Sequence, residues 1–451
     1  MAERGSPTGT PTGTPTGTDN PTRYRARRWL PMLGILVVAL NLRAALAGYP
    51  PLLSTVREEL HLTAGEAGLV QAGAVLAMAA GSFAGARIAA VVGSERALGA
   101  AVGLVGLGCL LRGIPVAAAL VGGTALLGLG IGTAGVFLAG VARSRFARHA
   151  GALTGGYVVA MMIGSTVASA VAVPVATLLG GWSLSLAVWA VPALLATAVW
   201  AAARPAPEPS AVEPSAAEPP VPVPTPAEPA ELARPKRGTT RWTRLARLGA
   251  CYQSGTSVIV YGWLTWLAPY YQSLGWAPGS AGLLLAVWSV AQVPAALIVP
   301  ALAERRRRWR FWASLALGCA AAGTVGVLLV PLPPVLGPWL WVVLIGFGSG
   351  AGFPLGLAVI AWRTPDGAAS AATSGLAMGV GYTVAGLGPL VMGLLIDATS
   401  GYPPAICVLL VGAAAQGWAI SRIGDRCRIG DRWRTGDRCR TGDRCRTGNR
   451  S

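Results

Sequence analysis

Charged residues are scarce in this sequence. Only 12% of its 451 residues are Asp, Glu, Lys or Arg, against about 25% in average soluble proteins. With 53% hydrophobic residues, a soluble globular protein is excluded. Acids are missing from the middle of the long apolar runs, and His61 and His149 fall in the gaps between them. Proton coupling through a buried titratable relay therefore has no obvious members. No Gly-x-x-x-x-Gly-Lys-Ser/Thr loop is present to cradle nucleotide phosphates, which argues against ATP-driven work. No nucleophile, base or metal cluster stands inside the runs, so no enzyme, cofactor or metal site is expected. Cysteines do not form a disulfide framework. Cys109, Cys251, Cys319 and Cys407 sit in apolar runs as small hydrophobes, and Cys427, Cys439 and Cys445 lie in a polar tail without paired zinc-ligand spacing.

The runs themselves carry the information. Twelve are long enough and free enough of charge to approach the roughly 20 apolar residues that cross a bilayer. They cover about 29–53, 65–86, 96–111, 116–140, 150–172, 182–203, 246–271, 280–303, 311–330, 338–361, 368–395 and 404–420. The net charge of +18 points to membrane topology rather than to nucleic acid, because the basic residues collect in alternate gaps. With the N-terminus inside, the outer loops hold only Arg57 and Arg112 of the 36 basic residues. Clusters such as Arg143, Arg145 and Arg148, or Arg305 to Arg308, fall on the inner side. Both termini are expected in the cytoplasm of a multi-pass plasma-membrane protein, a bacterial cytoplasmic membrane being the setting. Ala45-Leu46-Ala47 is shaped like a signal-peptidase site, but Arg43 interrupts that segment and many spans follow it, so it is read as the first span.

Between and beyond the spans the composition changes. Residues 1–28 are polar, with Pro-Thr-Gly-Thr repeats, and should be a disordered cytoplasmic N-terminus. Residues 29–203 form one six-helix half and 245–420 the other. Residues 204–244 form a Pro/Ala/Glu-rich cytoplasmic linker. Residues 421–451 are a basic tail of Gly-Asp-Arg-Cys/Trp-Arg repeats. The halves are related by sequence. Gly128-Leu129-Gly130-Ile131-Gly132 in span four recurs as Gly346-Phe347-Gly348-Ser349-Gly350 in span ten, an offset of 218. Each glycine alone reads as close helix packing; the shared offset and the central linker read as a duplication, the plan of one large group of secondary transporters. The fold expected is an all-α membrane protein of twelve helices in two pseudo-symmetric halves.

Arg43, in Leu40-Asn41-Leu42-Arg43, is the outstanding residue. It lies about 14 residues, or roughly 20 Å, into its span. A guanidinium there costs at least about 2.5–3.5 kcal/mol, so it should face a partner, a ligand or a wet cavity. Its planar fork suits carboxylate-like groups; the competing role is a structural charge that hydrogen-bonds helix ends. Asn41 points to another side of the helix and either lines the cavity or bonds a neighbour. Span seven is unusually polar, and an offset of 218 there would set Tyr261 opposite Arg43. Gln253 and Tyr261 are two turns apart on one face. Tyr270 and Tyr271 read as an interfacial aromatic belt.

Beyond these physical readings, the chain resembles the major facilitator superfamily from residue 29 to about 420, and within it the branch named for the cyanate permease and the 2-nitroimidazole exporter. The resemblance is carried by Leu40–Arg43 with Gly48-Tyr49-Pro50-Pro51-Leu52-Leu53, by Gln253-Ser254, Tyr261 and Trp266-Leu267-Ala268-Pro269, and by Gly350-Ala351-Gly352-Phe353-Pro354-Leu355. Thr364-Pro365 and Gly381-Tyr382 through Gly388-Pro389 add to it. It implies a central cavity, alternating access and a small organic or anionic substrate, with Asn41, Arg43, Gln253, Tyr261, Trp266, Tyr157 and Tyr382 as cavity residues. The loop after span two departs from the superfamily pattern: Gly93-Ser94-Glu95-Arg96 lacks the usual Asp. Expected partners are a small-molecule substrate and the lipid bilayer, with no nucleic acid, the protein acting as a monomer. A secondary active or facilitative transporter of a small polar or anionic solute, cyanate-like or small organic, is the leading expectation. The alternatives are efflux of small neutral or nitroaromatic drugs and a transport-dead membrane receptor or scaffold; the sequence carries no sensory domain for the latter.

Overall fold

The computed structural model describes residues 21–145, 150–202, 242–306, 308–364 and 367–424. The first 20 residues, most of the linker, the repetitive tail and Arg148 lie outside them. The described chain is all helical. In the first half, α1 (Pro21–Ala47) leads through a 3-10 turn (Pro50–Leu52) and a short α2 (Leu53–Glu59) to α3 (Ala64–Val92), α4 (Ser94–Leu111), α5 (Ala117–Arg145) and α6 (Ala150–Leu179). A short α7 (Trp182–Ala187) and α8 (Ala190–Ala202) complete it. The second half holds α9 (Arg244–Ser273), α10 (Pro278–Arg306), α11 (Trp309–Leu329), α12 (Trp339–Arg363), α13 (Gly367–Thr399) and α14 (Pro403–Arg422). Setting aside the short α2 and α7, twelve long helices remain, as the apolar runs predict. Ten spans are long and apolar enough to cross a membrane; the remaining long helices are α4, whose apolar stretch Arg96–Leu111 is short, and the polar α9.

Two boundaries differ from expectation. Helix α1 opens at Pro21, inside the stretch expected to be disordered; proline lacks the N–H that a first turn leaves unbonded anyway. The first span also breaks at Ala47, because Gly48 precedes the Pro50-Pro51 pair that cannot continue the ladder.

The halves repeat one another in packing. In the first, α3 and α4 pack on α5, α1 packs on α6, and α8 closes against α4 and α1. In the second, α10 and α11 pack on α12, α9 packs on α13, and α14 closes against α9 and α11. The glycine repeat supplies the matching contacts. Gly128 and Gly132 lie on the backbone of α3 at Ala74 and Met78, and Gly130 on α4 at Ala101. Their counterparts Gly346 and Gly350 lie on α10 at Trp288 and Gln292, and Gly348 on α11 at Ala316. Lipid offers no hydrophobic gain for joining helices, so close backbone approach is the main source of attraction. The register shortens elsewhere: Gly164 of α6 meets Leu40 of α1, and Gly381 of α13 meets Gln253 of α9. Thr256, three residues past Gln253, is thus the counterpart of Arg43 by packing, not Tyr261.

The halves meet along α3 with α13 and α6 with α10, a pair of contacts that the repeat itself interchanges. Side-chain bonds join them too. Ser165 and Ser289 hydroxyls lie 3.0 Å apart. Gln272 donates to the Pro51 carbonyl at 3.0 Å. Asp397, at the end of α13, accepts from the backbone N–H groups of Ala64 (2.8 Å) and Gly65 (2.6 Å) at the start of α3. That helix start is already capped from within: Glu66 accepts from the Thr63 N–H at 2.8 Å while Thr63 Oγ1 accepts from the Glu66 N–H at 3.1 Å. The Asp397 carboxylate adds a charge on the positive end of the helix dipole.

Arg112 is a correction to the charge count. It closes α4 and is 1% exposed, so it is no loop charge. Its Nη1 donates to the Ala45 carbonyl at 2.8 Å, and its guanidinium lies over the Tyr49 ring at 5.7 Å. Ala45 belongs to the last turn of α1, whose carbonyls have no partner in the helix. Gly48 N–H takes the Ala44 carbonyl at 3.1 Å and Ser169 Oγ reaches Ala47 at 3.4 Å. The arginine stem packs in the core while its head neutralises a negative helix end. Tyr270 and Tyr271 are a second correction: they are 8% and 0% exposed and form no interfacial belt. Their hydroxyls donate to the carbonyls of Val327 and Pro331, which draws them against the end of α11.

Two stability outcomes are expected. Gly164→Ala places a methyl on the Leu40 carbonyl and lowers stability by about 1–3 kcal/mol, whereas Gly103→Ala, with nothing within 4 Å, leaves it equal or higher. Arg112→Leu removes a charged hydrogen bond and lowers stability by about 1.5–3 kcal/mol. Thermal unfolding of each purified variant in detergent is the check. A midpoint for Gly164→Ala no lower than that of Gly103→Ala would overturn the packing account.

Candidate functional site

Arg43 lies one turn before the end of α1, where the helix dipole favours a cation. It is half-buried, and its Nε is buried with no hydrogen-bond partner among the described residues. The interactions that fix α1 on either side use other groups. Leu40 is held by Gly164, and the carbonyls after Arg43 are taken by Gly48, Arg112 and Ser169. The backbone is thus anchored by groups other than the guanidinium.

The phenols of Tyr261 on α9 and Tyr382 on α13 both lie within electrostatic reach of Arg43. Their rings meet edge to face, with centroids 6.3 Å apart and planes at 76°. Phe353 of α12 stacks on Tyr382, with centroids 6.4 Å apart and planes at 23°. Three helices therefore contribute one cluster of aromatic rings. Offset-stacked and edge-to-face pairs are the arrangements that ring quadrupoles favour, so the cluster is preorganised.

The other expected residues sit elsewhere. Asn41 is fully buried, and its Nδ2 donates to the Trp189 carbonyl at 3.0 Å; it ties α1 to the α7–α8 segment. Trp266 is 1% exposed, and its indole N–H donates to the Pro389 carbonyl at 3.1 Å, which ties α9 to α13. Tyr157 follows Gly156, which lies against Leu36. That is two turns, about 10 Å, before Arg43 along α1. Gln253 is 2% exposed, rests against Gly356 and Gly381, and leaves Nε2 without a partner. It extends the Tyr261 face by two turns, about 12 Å.

Phe353 enters the sequence reading only within the Gly350–Leu355 motif and not among the cavity residues. A signal for it existed. Every other face of α12 is lined by glycine: Gly346 and Gly350 toward α10, Gly348 toward α11, Gly352 and Gly356 toward α9. Of the two aromatics in this ladder, Phe347 packs against the apolar cluster of α10 and α11, and Phe353 turns toward Tyr382 of α13.

Comparison with known proteins agrees with the architecture. Residues 32–389 match the family model described as Major Facilitator Superfamily. The chain is 31% identical over 372 residues to the 2-nitroimidazole transporter of Escherichia coli, covering 82% of this chain and 88% of that one. It is 27% identical over 372 residues to the cyanate transport protein CynX of the same organism, covering 82% and 91%. Among solved structures, a bacterial homologue of the human lysosomal transporter Spinster, inward-facing and occupied, superposes with a TM-score of 0.68. It has 14% identity and covers 90% of this chain and 99% of that one. Twelve helices in two interchangeable halves and a family match over most of the chain lead to one assignment: the protein belongs to the Major Facilitator Superfamily, as a multi-pass transporter of small solutes working by alternating access.

Proposed function

We propose that the transported solute is a small anion, or a small polar compound with a negatively polarised group, held by Arg43. The observation that carries this reading is the guanidinium itself: mid-span, anchored by its backbone, and without a hydrogen bond at Nε among the described residues. Leaving such a group uncompensated is costly. A ligand that neutralises it recovers that cost on binding. Tyr261 and Tyr382 complete the site and Gln253 extends it. Tyr157 lies further along the path, and Asn41 and Trp266 hold helices that shape it. Relatives named for cyanate and for 2-nitroimidazole support the class, since cyanate is an anion and a nitro group presents two negatively polarised oxygens to a planar fork. The second relative also favours a second reading, in which neutral nitroaromatics are carried.

The positive-inside pattern supports both termini and the 204–244 linker facing the cytoplasm, in a cytoplasmic membrane. In that orientation the Asp397–α3 latch and the Gln272–Pro51 bond close the outer mouth. Rocking of residues 29–203 against 245–420 has to break them. The protein acts as a monomer and as a carrier rather than an enzyme.

Two outcomes test this reading. Purified wild type should melt higher with a bound small anion: about 2.7 kcal/mol of stabilisation at 100 times its Kd. Arg43→Ala should lose both that shift and uptake into proteoliposomes. Normal flux in the variant at equal folded amounts removes Arg43 from the site. Asp397→Asn removes a charge–dipole contact of about 1 kcal/mol, and should raise the outward-open population about fivefold. Spin labels at the exposed positions Glu58 and Ser400 report this as a longer distance; an unchanged distance distribution rules out the latch.

A further inference from the structure

We infer that the second half holds an anionic phospholipid in a groove between the start of α11 and the end of α14. Three contacts pin the two helices there. Trp309 Nε1 donates to the Gly424 carbonyl at 3.2 Å, Arg310 Nη2 donates to the Ser421 carbonyl at 3.5 Å, and Gly417 lies against Leu317. These pairings run in opposite directions along the two helices, which are therefore antiparallel. Phe311 and Trp418 each follow a contact residue by one position, a turn of about 100° from the contact line. In an antiparallel pair that turn carries both rings to the same side, where they are 57% and 51% exposed. Leu315 and Val411, also exposed, continue the two walls toward the middle of the span. The halves meet along other helices, so this apolar groove faces hydrocarbon.

At the helix ends the groove turns basic. The Arg422 guanidinium lies over the Trp418 ring, 5.7 Å from its centroid, which keeps a charge beside the aromatic pair. Arg310 bridges the two helices, the exposed Arg308 precedes it, and Arg305 and Arg306 close α10. Among the described residues of 300–316 and 410–424, Glu304 is the only acid against these five arginines. An occupant has to be apolar along the rings and negatively charged at the arginines. A phospholipid with a net negative headgroup meets both demands. A zwitterionic headgroup brings its own cation toward five others, and a soluble anion leaves Phe311 and Trp418 without contact.

The test is native mass spectrometry of the full-length chain in detergent, titrated with phosphatidylglycerol or with phosphatidylcholine of the same acyl chains. The first phosphatidylglycerol should bind more tightly than the first phosphatidylcholine. Arg422→Gln should weaken phosphatidylglycerol about fivefold, the effect of one arginine near a headgroup, and leave phosphatidylcholine unchanged. Arg96→Gln, an exposed arginine at the start of α4 in the other half, should change neither. Glycerol 3-phosphate, which has no acyl chains, should leave the bound lipid in place. Equal affinity for the two lipids overturns the inference. So does an equal loss in Arg96→Gln, which would make the attraction a property of overall charge and not of the groove. Displacement by glycerol 3-phosphate makes the arginines a site for a soluble anion, and a dimer that disappears in Arg422→Gln puts a second copy of the chain on the groove; either result overturns the lipid assignment.

Discussion

Helix α1 ends inside the protein, and the hydrogen bond from Arg112 to the Ala45 carbonyl makes that ending tolerable. A helix terminus carries unpaired carbonyls and a partial negative charge. Water would normally satisfy both, and hydrocarbon cannot. The chain answers with a buried cation whose own charge is shared between a carbonyl and the Tyr49 ring. Once that end is secured, the Gly48–Pro51 turn can cross to the second half and receive Gln272. Arg43, one turn earlier, is held in place without spending its own guanidinium. The two arginines are held differently: Arg112 spends Nη1 on the Ala45 carbonyl, and Arg43 is fixed through the backbone contacts of its neighbours.

Glycine performs the complementary task along the helix shafts. The same carbonyl-to-glycine contacts recur in both halves, which makes the duplication visible as packing and not only as spelling. They set short interhelical distances. The rings of Tyr261, Tyr382 and Phe353 bring together the three helices α9, α13 and α12 on which those glycines also lie.

Much of this was legible in the sequence because lipid imposes simple rules. Span length, the distribution of basic residues and the Gly128/Gly346 repeat yield twelve helices in two halves; Arg43 stands out because charge is costly there. The rest depends on partners far along the chain. Arg112 looks like a loop charge because its acceptor, Ala45, is 67 residues away. Asn41 and Trp266 are polar groups in spans, and only the carbonyls of Trp189 and Pro389 decide that they bind helices together. Tyr270 and Tyr271 match an interfacial pattern, yet α11 offers carbonyls that bury them. The register of α1 against α9 could not be carried over from the glycine repeat, because the offset drifts between helix pairs.

One helix links the ring cluster to the mouth. Helix α13 carries Tyr382 in the cluster and Asp397 at the latch, 15 residues or about 22 Å apart. Pro389 lies between them. It lacks an N–H for the helical ladder, its carbonyl is taken by Trp266, and Gly68 of the other half rests against it. The helix is therefore a jointed lever whose pivot is seated in the opposite half. Any tilt of the Tyr382 arm about that pivot reaches the far arm as a change in the grip of Asp397 on α3.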